Sequence, residues 1–98
     1  MPVPPPSPNS RAVVTGASQG IGEALATELA ARGHSLIITA RRAEVLADLA
    51  ARLTERFGVT VEVRAVDLAD PRQRTGLADE LAERDISILC ANAGTATF

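Results

Sequence analysis

The sequence predicts an α/β fold built on a parallel sheet, because short apolar runs alternate along it with longer amphipathic segments. The four apolar runs are four to seven residues long and rich in β-branched side chains, as buried strands are. Each of the three intervening segments has the length and periodicity of a helix. The predicted order of elements is therefore β-α-β-α-β-α-β.

The four predicted strands cover residues 12–15, 36–40, 60–66 and 86–91. The third alternates apolar and charged residues, which places it near a sheet edge. Right-handed crossovers give the strand order 3-2-1-4, the first half of a Rossmann-type doubly wound sheet. In that half-sheet the fourth strand is an uncovered apolar edge.

The first predicted helix places Ile21, Leu25 and Leu29 four residues apart on one face, which we expect to face the core, and it ends at Gly33. The second helix covers residues 43–57 and ends at Gly58.

The third helix has a clear start. Asp70 is the expected N-cap, Pro71 suits the first helical position, and Gln73 can complete a capping box. This helix is expected to run to about residue 84.

Length and composition bound the function. Residues 1–10 are Pro-rich and are expected to form a disordered or extended tail, and residues 11–98 form the half-domain. A net charge of −2 gives no reason to expect nucleic acid or a membrane surface as a partner. The start lacks the features of a signal peptide, and one cysteine suits a reducing compartment, so we expect a cytoplasmic protein. The oligomeric state stays open.

The single histidine and single cysteine are not expected to carry chemistry. We expect His34, which follows a helix-ending glycine, to lie on the surface in a turn. Cys90 lies in an apolar strand and is expected to be a small buried hydrophobe. One residue of each type gives no metal cluster, so no metal site is predicted.

The turn between the first strand and the first helix is the main functional signal. Its glycines, Gly16, Gly20 and Gly22, can adopt backbone angles closed to other residues and let the main chain approach a ligand closely. The helix N-terminus then directs free N–H groups at a phosphate, which predicts a dinucleotide site. The alternative is an ordinary tight turn. Ser18 either donates its hydroxyl to a phosphate or bonds the turn itself.

This glycine spacing, with Thr15 before it and Ile21 inside it, resembles the short-chain dehydrogenase/reductase family in its common short form. The resemblance runs from Arg11 to Gly94 and corresponds to the N-terminal half of that family's fold. It implies an oxidoreductase that transfers hydride between a nicotinamide dinucleotide and a carbonyl or alcohol substrate.

The end of the second strand indicates which dinucleotide is bound. A site that prefers NAD(H) usually has an acidic residue there, whereas this chain has Arg41 and Arg42. A guanidinium binds a 2′-phosphate through charge-assisted hydrogen bonds. Family members with a similar Thr-Ala-Arg place the first arginine on that phosphate, so NADP(H) is favoured over NAD(H). The alternative is that both arginines are solvated.

Two further segments resemble the family's cofactor contacts. Asp67 and Leu68 correspond to a carboxylate and a following N–H that meet the adenine ring; the alternative for Asp67 is a helix cap. Residues 92–94 resemble the family's Asn-Asn-Ala-Gly beside the ribose, with Ala91 in place of the first Asn. The resemblance thus assigns cofactor binding to Gly16, Ser18, Gln19, Gly20, Ile21, Gly22, Arg41, Arg42, Asp67, Leu68, Asn92, Ala93 and Gly94.

The family's catalytic Ser, Tyr and Lys correspond to positions beyond residue 98, and the sequence contains neither Tyr nor Lys. No catalytic residue is therefore predicted, and these 98 residues alone are expected not to turn over a substrate. One alternative is a stand-alone, non-catalytic nucleotide-binding module or redox sensor. Another is a remnant that folds poorly because its fourth strand is uncovered.

Overall fold

The computed structural model describes residues 6–7, 9–17 and 20–90. Seven elements alternate along the chain: β1 (Arg11–Thr15), α1 (Gly20–Ala31), β2 (Leu36–Ala40), α2 (Ala43–Phe57), β3 (Val61–Ala65), α3 (Pro71–Ala82) and β4 (Ile86–Cys90). The strands form one sheet in the order β3-β2-β1-β4, and every neighbouring pair is parallel. The predicted fold class, element order and strand order are confirmed.

The hydrophobic core lies on the sheet face that α1 and α2 cover. Alternate residues of a strand point to opposite faces, so only every second residue of β1 and β2 reaches this core. Its buried residues from the strands and helices are Ala12, Val14, Ala26, Leu29, Ala30, Leu36, Ile38, Ala40, Leu46, Leu49 and Leu53.

The predicted core face of α1 is right for Leu29, which is buried, and wrong for Ile21 and Leu25. Ile21 is 71% exposed and Leu25 is also exposed, and α1 buries Gly22, Ala26 and Ala30 beside Leu29. The reason is the close approach of the first turn of α1 to the turn after β1, which leaves room only for glycine at position 22. The spacing of the larger hydrophobic residues pointed to a face rotated away from the sheet.

The opposite face of the sheet is held to α3 by ion pairs, as expected for a crossover that returns from one sheet edge to the other side of β1. Arg64 on β3 lies 2.7 Å from Glu80 on α3. Glu62, also on β3, accepts hydrogen bonds from Arg84 and, at 3.0 Å, from Arg11 on β1. We call these five residues the Glu62 cluster.

The two sheet edges differ in polarity. Strand β3 forms one edge, as its alternating pattern predicted, and carries charged side chains. Strand β4 forms the other edge, and its Leu89 is 61% exposed. The predicted apolar character of the fourth strand is confirmed. Cys90 is half-buried against the core, so it is less enclosed than expected.

Glycines end the first two helices as predicted. Gly33 and Gly58 have φ angles of +93° and +71°, and the N–H of Gly58 donates to the carbonyl of Thr54. The expected surface position of His34 is wrong, because this residue is only 2% exposed. Its backbone N–H donates to the carbonyl of Leu29, which turns the chain inward toward β2.

The start of α3 is also confirmed. The side chain of Asp70 accepts a hydrogen bond of 2.9 Å from the N–H of Arg72, and Pro71 occupies the first turn. Hydrogen bonds from Arg72 and then from Gln73 hold the pKa of the Asp70 carboxyl below its usual value. The helix ends at Ala82, slightly before the expected position.

Part of the Pro-rich segment belongs to the folded unit. Ser10 is buried, and its N–H donates to the carbonyl of Ser7. Residues 1–5 and 8 lie outside the described residues, so the expected tail stays a prediction.

Thr39 on β2 offers a stability test, because its fully buried hydroxyl has no hydrogen-bond partner among the residues that the structure describes. Thr39→Val keeps the shape and removes the unsatisfied group, so we expect the free energy of unfolding to rise by about 1 kcal/mol in urea denaturation. Thr15→Val is the matched control, since the Thr15 hydroxyl donates to the carbonyl of Cys90 and should show no such gain. A loss of stability in Thr39→Val would contradict the prediction.

Candidate functional site

The carboxyl ends of the first three strands form one continuous edge. The N–H of Ala17, in the turn after β1, donates to the carbonyl of Thr39 at 3.0 Å. The N–H of Val66, after β3, donates to the carbonyl of Ala40 at 2.9 Å. These hydrogen bonds continue the strand pairing past the strand ends, so the three loops begin side by side. In open α/β sheets this edge is where ligands bind.

The glycine turn brings its backbone close to α1. Gly16 has a φ angle of +66°, in the region that favours glycine. A Cβ atom on Gly22 would lie 2.2 Å from the carbonyl oxygen of Gly16, which is shorter than any tolerable contact. The two glycines therefore allow α1 to start directly against the end of β1.

Gly20 has a different environment. It is the first residue of α1, it is exposed, and a Cβ atom added there would meet no described residue within 4 Å apart from its chain neighbours. The next residue, Ile21, is exposed beside it. The free N–H groups and partial positive charge of this helix end thus border open space of the kind an anion can fill. Ser18 and Gln19 lie outside the described residues.

Arg41 and Arg42 follow β2 directly and are exposed. Arg42 takes the N-cap position of α2 in an extended conformation, and its side chain makes no capping bond. Within the described ranges, neither guanidinium has an ion pair or hydrogen bond, whereas Arg52 is paired with Glu23 and Asp48. Both charges are therefore available at the edge.

Asp67 and Leu68 follow β3 and are half-buried. One carboxylate oxygen of Asp67, Oδ1, accepts from the N–H of Ala69 at 3.0 Å. The helix cap is Asp70, so the alternative role of Asp67 as that cap is wrong.

Gln73 does not close the predicted capping box. Its Oε1 accepts from the N–H of Asp67 at 2.8 Å, and its Nε2 donates to Oδ2 of Asp70 at 3.1 Å. The reason is that the N–H of Asp70, which a capping box would use, already donates to the carbonyl of Asp67. Sequence reasoning therefore missed Gln73 as a contact of the predicted adenine segment.

Residues 92–94, the fourth predicted segment, lie outside the described residues. The strand before them brings Cys90 into register with Val14 on β1. The glycine turn, the arginines and the Asp67 segment are thus the predicted parts of the site that the structure brings together.

No group of His, Cys, Asp and Glu among the described residues could hold a metal ion. In the same part of the chain, no helix has the length and apolar character needed to cross a membrane.

The family model for short chain dehydrogenases matches residues 10–98. The chain belongs to the short-chain dehydrogenase family. The family membership predicted from the sequence is thereby confirmed, and the family is one of oxidoreductases.

Individual short-chain dehydrogenases match over most of the chain. It is 41% identical over 86 residues to sulfoacetaldehyde reductase 2 from Chromohalobacter salexigens, covering 86% of the chain and 33% of that protein. A solved structure of a short-chain dehydrogenase from Sphingobium yanoikuyae in complex with NADPH is 42% identical, with a TM-score of 0.85, covering 90% of this chain and 35% of that one.

A third match is L-sorbose reductase from Gluconobacter frateurii, solved in complex with NADPH and L-sorbose. It is 36% identical, with a TM-score of 0.80, covering 91% of this chain and 35% of that one. The present chain spans between a quarter and a third of the length of three of the curated relatives it matches.

Proposed function

We propose that these 98 residues are the NADP(H)-binding part of a short-chain oxidoreductase that transfers hydride between NADP(H) and a carbonyl or alcohol substrate. The observation that carries the proposal is the glycine turn, where Gly20 borders open space at the N-terminus of α1 and Gly22 lies against Gly16. The nicotinamide ring supplies the hydride chemistry when the dinucleotide is bound.

The residues at the edge of the sheet fit such a dinucleotide. The backbone N–H groups of Gly20, Ile21 and Gly22 would hold the pyrophosphate, together with the turn residues Gly16, Ser18 and Gln19. Asp67 and Leu68 would hold the adenine ring. Asn92, Ala93 and Gly94 would lie beside the ribose, as the family resemblance implies.

Arg41 is the residue we assign to the 2′-phosphate, with Arg42 beside it. Both guanidinium groups are free of ion pairs within the described ranges, and no acidic residue stands at the end of β2 to repel a phosphate. Two solved relatives are complexes with NADPH, which supports a preference for NADP(H) over NAD(H).

Calorimetric titration with NADPH and NADH tests the proposal. We expect Arg41→Ala to weaken NADPH binding by about ten-fold or more, because a charge-assisted hydrogen bond to the phosphate is lost, and to leave NADH binding unchanged. Arg56→Ala, an exposed arginine in the last turn of α2 outside the candidate site, is the control, and its effect should stay within about three-fold. Equal losses for the two nucleotides in Arg41→Ala would contradict the assignment, and no binding of either nucleotide by the parent chain would overturn the proposed function.

Catalysis is not assigned to any residue of the chain. The family's acid/base pair is Tyr and Lys, and neither residue type occurs in the 98 residues. The proposal therefore gives this part of the fold the task of holding the cofactor, and the reduction or oxidation of substrate requires residues outside it. This division separates cofactor binding, which the chain should show, from turnover, which it should not.

A further inference from the structure

The segment that follows β3 is a hydrogen-bonded turn. The N–H of Asp70 donates to the carbonyl of Asp67 at 3.0 Å, and the N–H of Ala69 donates to Oδ1 of Asp67 at 3.0 Å. The two bonds fix the conformation of residues 67–70 relative to one another. They do not fix the turn relative to the rest of the fold.

Side chains from the first two turns of α3 provide that anchoring. Gln73 accepts from the backbone N–H of Asp67 at 2.8 Å, and its amide is itself oriented by the 3.1 Å bond to Asp70. The Nη1 of Arg74 donates to the carbonyl of Leu68 at 3.1 Å. The N–H of residue 67 and the carbonyl of residue 68 are therefore both held from the same helix.

These contacts leave one acceptor and one donor unused on two consecutive residues. In the described part of the chain, no group donates to Oδ2 of Asp67 and no group accepts from the N–H of Leu68. Adenine presents a complementary pair on one edge, the 6-amino donor next to the N1 acceptor. Hypoxanthine presents the reverse pair, a 6-oxo acceptor next to an N1–H donor, and would face like groups at both positions.

We propose that Gln73, together with Arg74, is a positioning residue that makes this site select adenine over hypoxanthine. The inference rests on the proposed function, since it concerns the same dinucleotide site. Neither side chain needs to touch the base. They act by holding the Asp67 and Leu68 backbone in the orientation in which both free groups contact a single base edge. The selectivity therefore depends on two side chains that are not among the predicted cofactor contacts.

The test compares NADPH with its hypoxanthine analogue, nicotinamide hypoxanthine dinucleotide phosphate in the reduced form, by calorimetry. We expect the parent chain to bind NADPH about ten-fold or more tightly than the analogue. In Gln73→Met that ratio should fall to about three or less, through weaker binding of NADPH and not of the analogue. Thr75→Ala, an exposed change on α3 outside the hydrogen bonds described above, is the control and should keep the parent ratio.

Hydrogen exchange of the Asp67 amide gives an independent readout without ligand. It should accelerate in Gln73→Met at an unchanged melting temperature, because the amide loses its acceptor. If Gln73→Met does not melt cooperatively, Arg74→Met decides the question. Its lost positive charge weakens both nucleotides alike, so a fall in their ratio reports on positioning alone.

The outcomes separate the two proposals. Absence of NADPH binding in the parent chain overturns the proposed function. Binding with an unchanged ratio in Gln73→Met, where that variant melts cooperatively, overturns the positioning role and leaves the proposed function standing. Binding by the parent chain without any preference for adenine overturns the positioning role as well, since there is then no selectivity to support.

Discussion

Replacing Gly22 with alanine should lower the free energy of unfolding by about 3 kcal/mol, a large share of the stability of a small domain. The added Cβ would lie 2.2 Å from the carbonyl oxygen of Gly16 and 2.9 Å from its carbonyl carbon. Both atoms belong to the backbone, so the contact is relieved only if α1 moves away from the end of β1. Chemical denaturation of the variant measures the loss.

Gly20→Ala is the matched control, two residues away in the same turn of α1. Its Cβ would meet none of the described residues within 4 Å apart from its chain neighbours, so the free energy of unfolding should stay within about 0.5 kcal/mol of the parent value. The same Cβ enters the space that we assign to the pyrophosphate, so NADPH binding should weaken by about ten-fold or more. Gly22→Ala would then lower stability, whereas Gly20→Ala would weaken NADPH binding and leave stability almost unchanged. A Gly22→Ala variant as stable as the parent would refute the close approach of α1.

Neutralising Glu62 should have the second largest effect on the free energy of unfolding. This carboxylate is 23% exposed and faces the guanidinium groups of Arg11, Arg64 and Arg84. Glu62→Gln leaves these cations without their shared partner, and we expect a loss of about 2 kcal/mol, between the values for exposed and for buried pairs. The control is Glu28→Gln.

Glu28 forms an exposed ion pair with Arg32 at 2.9 Å within α1. Its loss should cost less than about 0.5 kcal/mol, because solvent screens the pair. Equal effects of the two substitutions in urea denaturation would contradict the importance of the Glu62 cluster.

The same cluster predicts the response to acid. Hydrogen bonds from Arg84 and then Arg11 lower the pKa of Glu62 from 4.5 to about 2, against the desolvation that acts to raise it. Because the pKa is lower in the folded than in the unfolded state, the stabilisation is complete above pH 4.5 and is lost as the pH falls toward 2. Unfolding free energy measured across this window should therefore fall less steeply in Glu62→Gln than in the parent chain. An equal fall of the unfolding free energy with pH in the two proteins would contradict this role of Glu62.

Local patterns were sufficient to predict the framework of the fold. The apolar runs marked the strands, Gly33 and Gly58 marked helix ends, and Asp70 with Pro71 marked a helix start. Each of these signals acts within a few residues, through backbone angles or a single cap, so it can be read directly. The strand order followed from crossover handedness.

The remaining features depend on contacts between distant segments. The core face of α1 was mispredicted at Ile21 and Leu25 because a close backbone approach leaves room only for glycine at position 22. His34 was mispredicted because its burial depends on how the chain enters the sheet.

The Glu62 cluster could not have been found from spacing, since its members come from β1, β3, α3 and the segment after α3. In the candidate site the glycine turn, the arginines and Asp67 were predicted as separate signals. The contact between Gln73 and Asp67 depends on a turn whose geometry is not encoded in either residue.

The hydrogen bonds from Ala17 to Thr39 and from Val66 to Ala40 have a consequence for substitution. They belong both to the sheet and to the rim of the candidate site. A change that disturbs this backbone therefore disturbs the fold and the site together. Arg41 stands one residue past that shared backbone and contributes no described bond to it. On the proposed assignment of Arg41 to the 2′-phosphate, substitution at this position would change nucleotide preference and leave the backbone that presents the nucleotide unchanged.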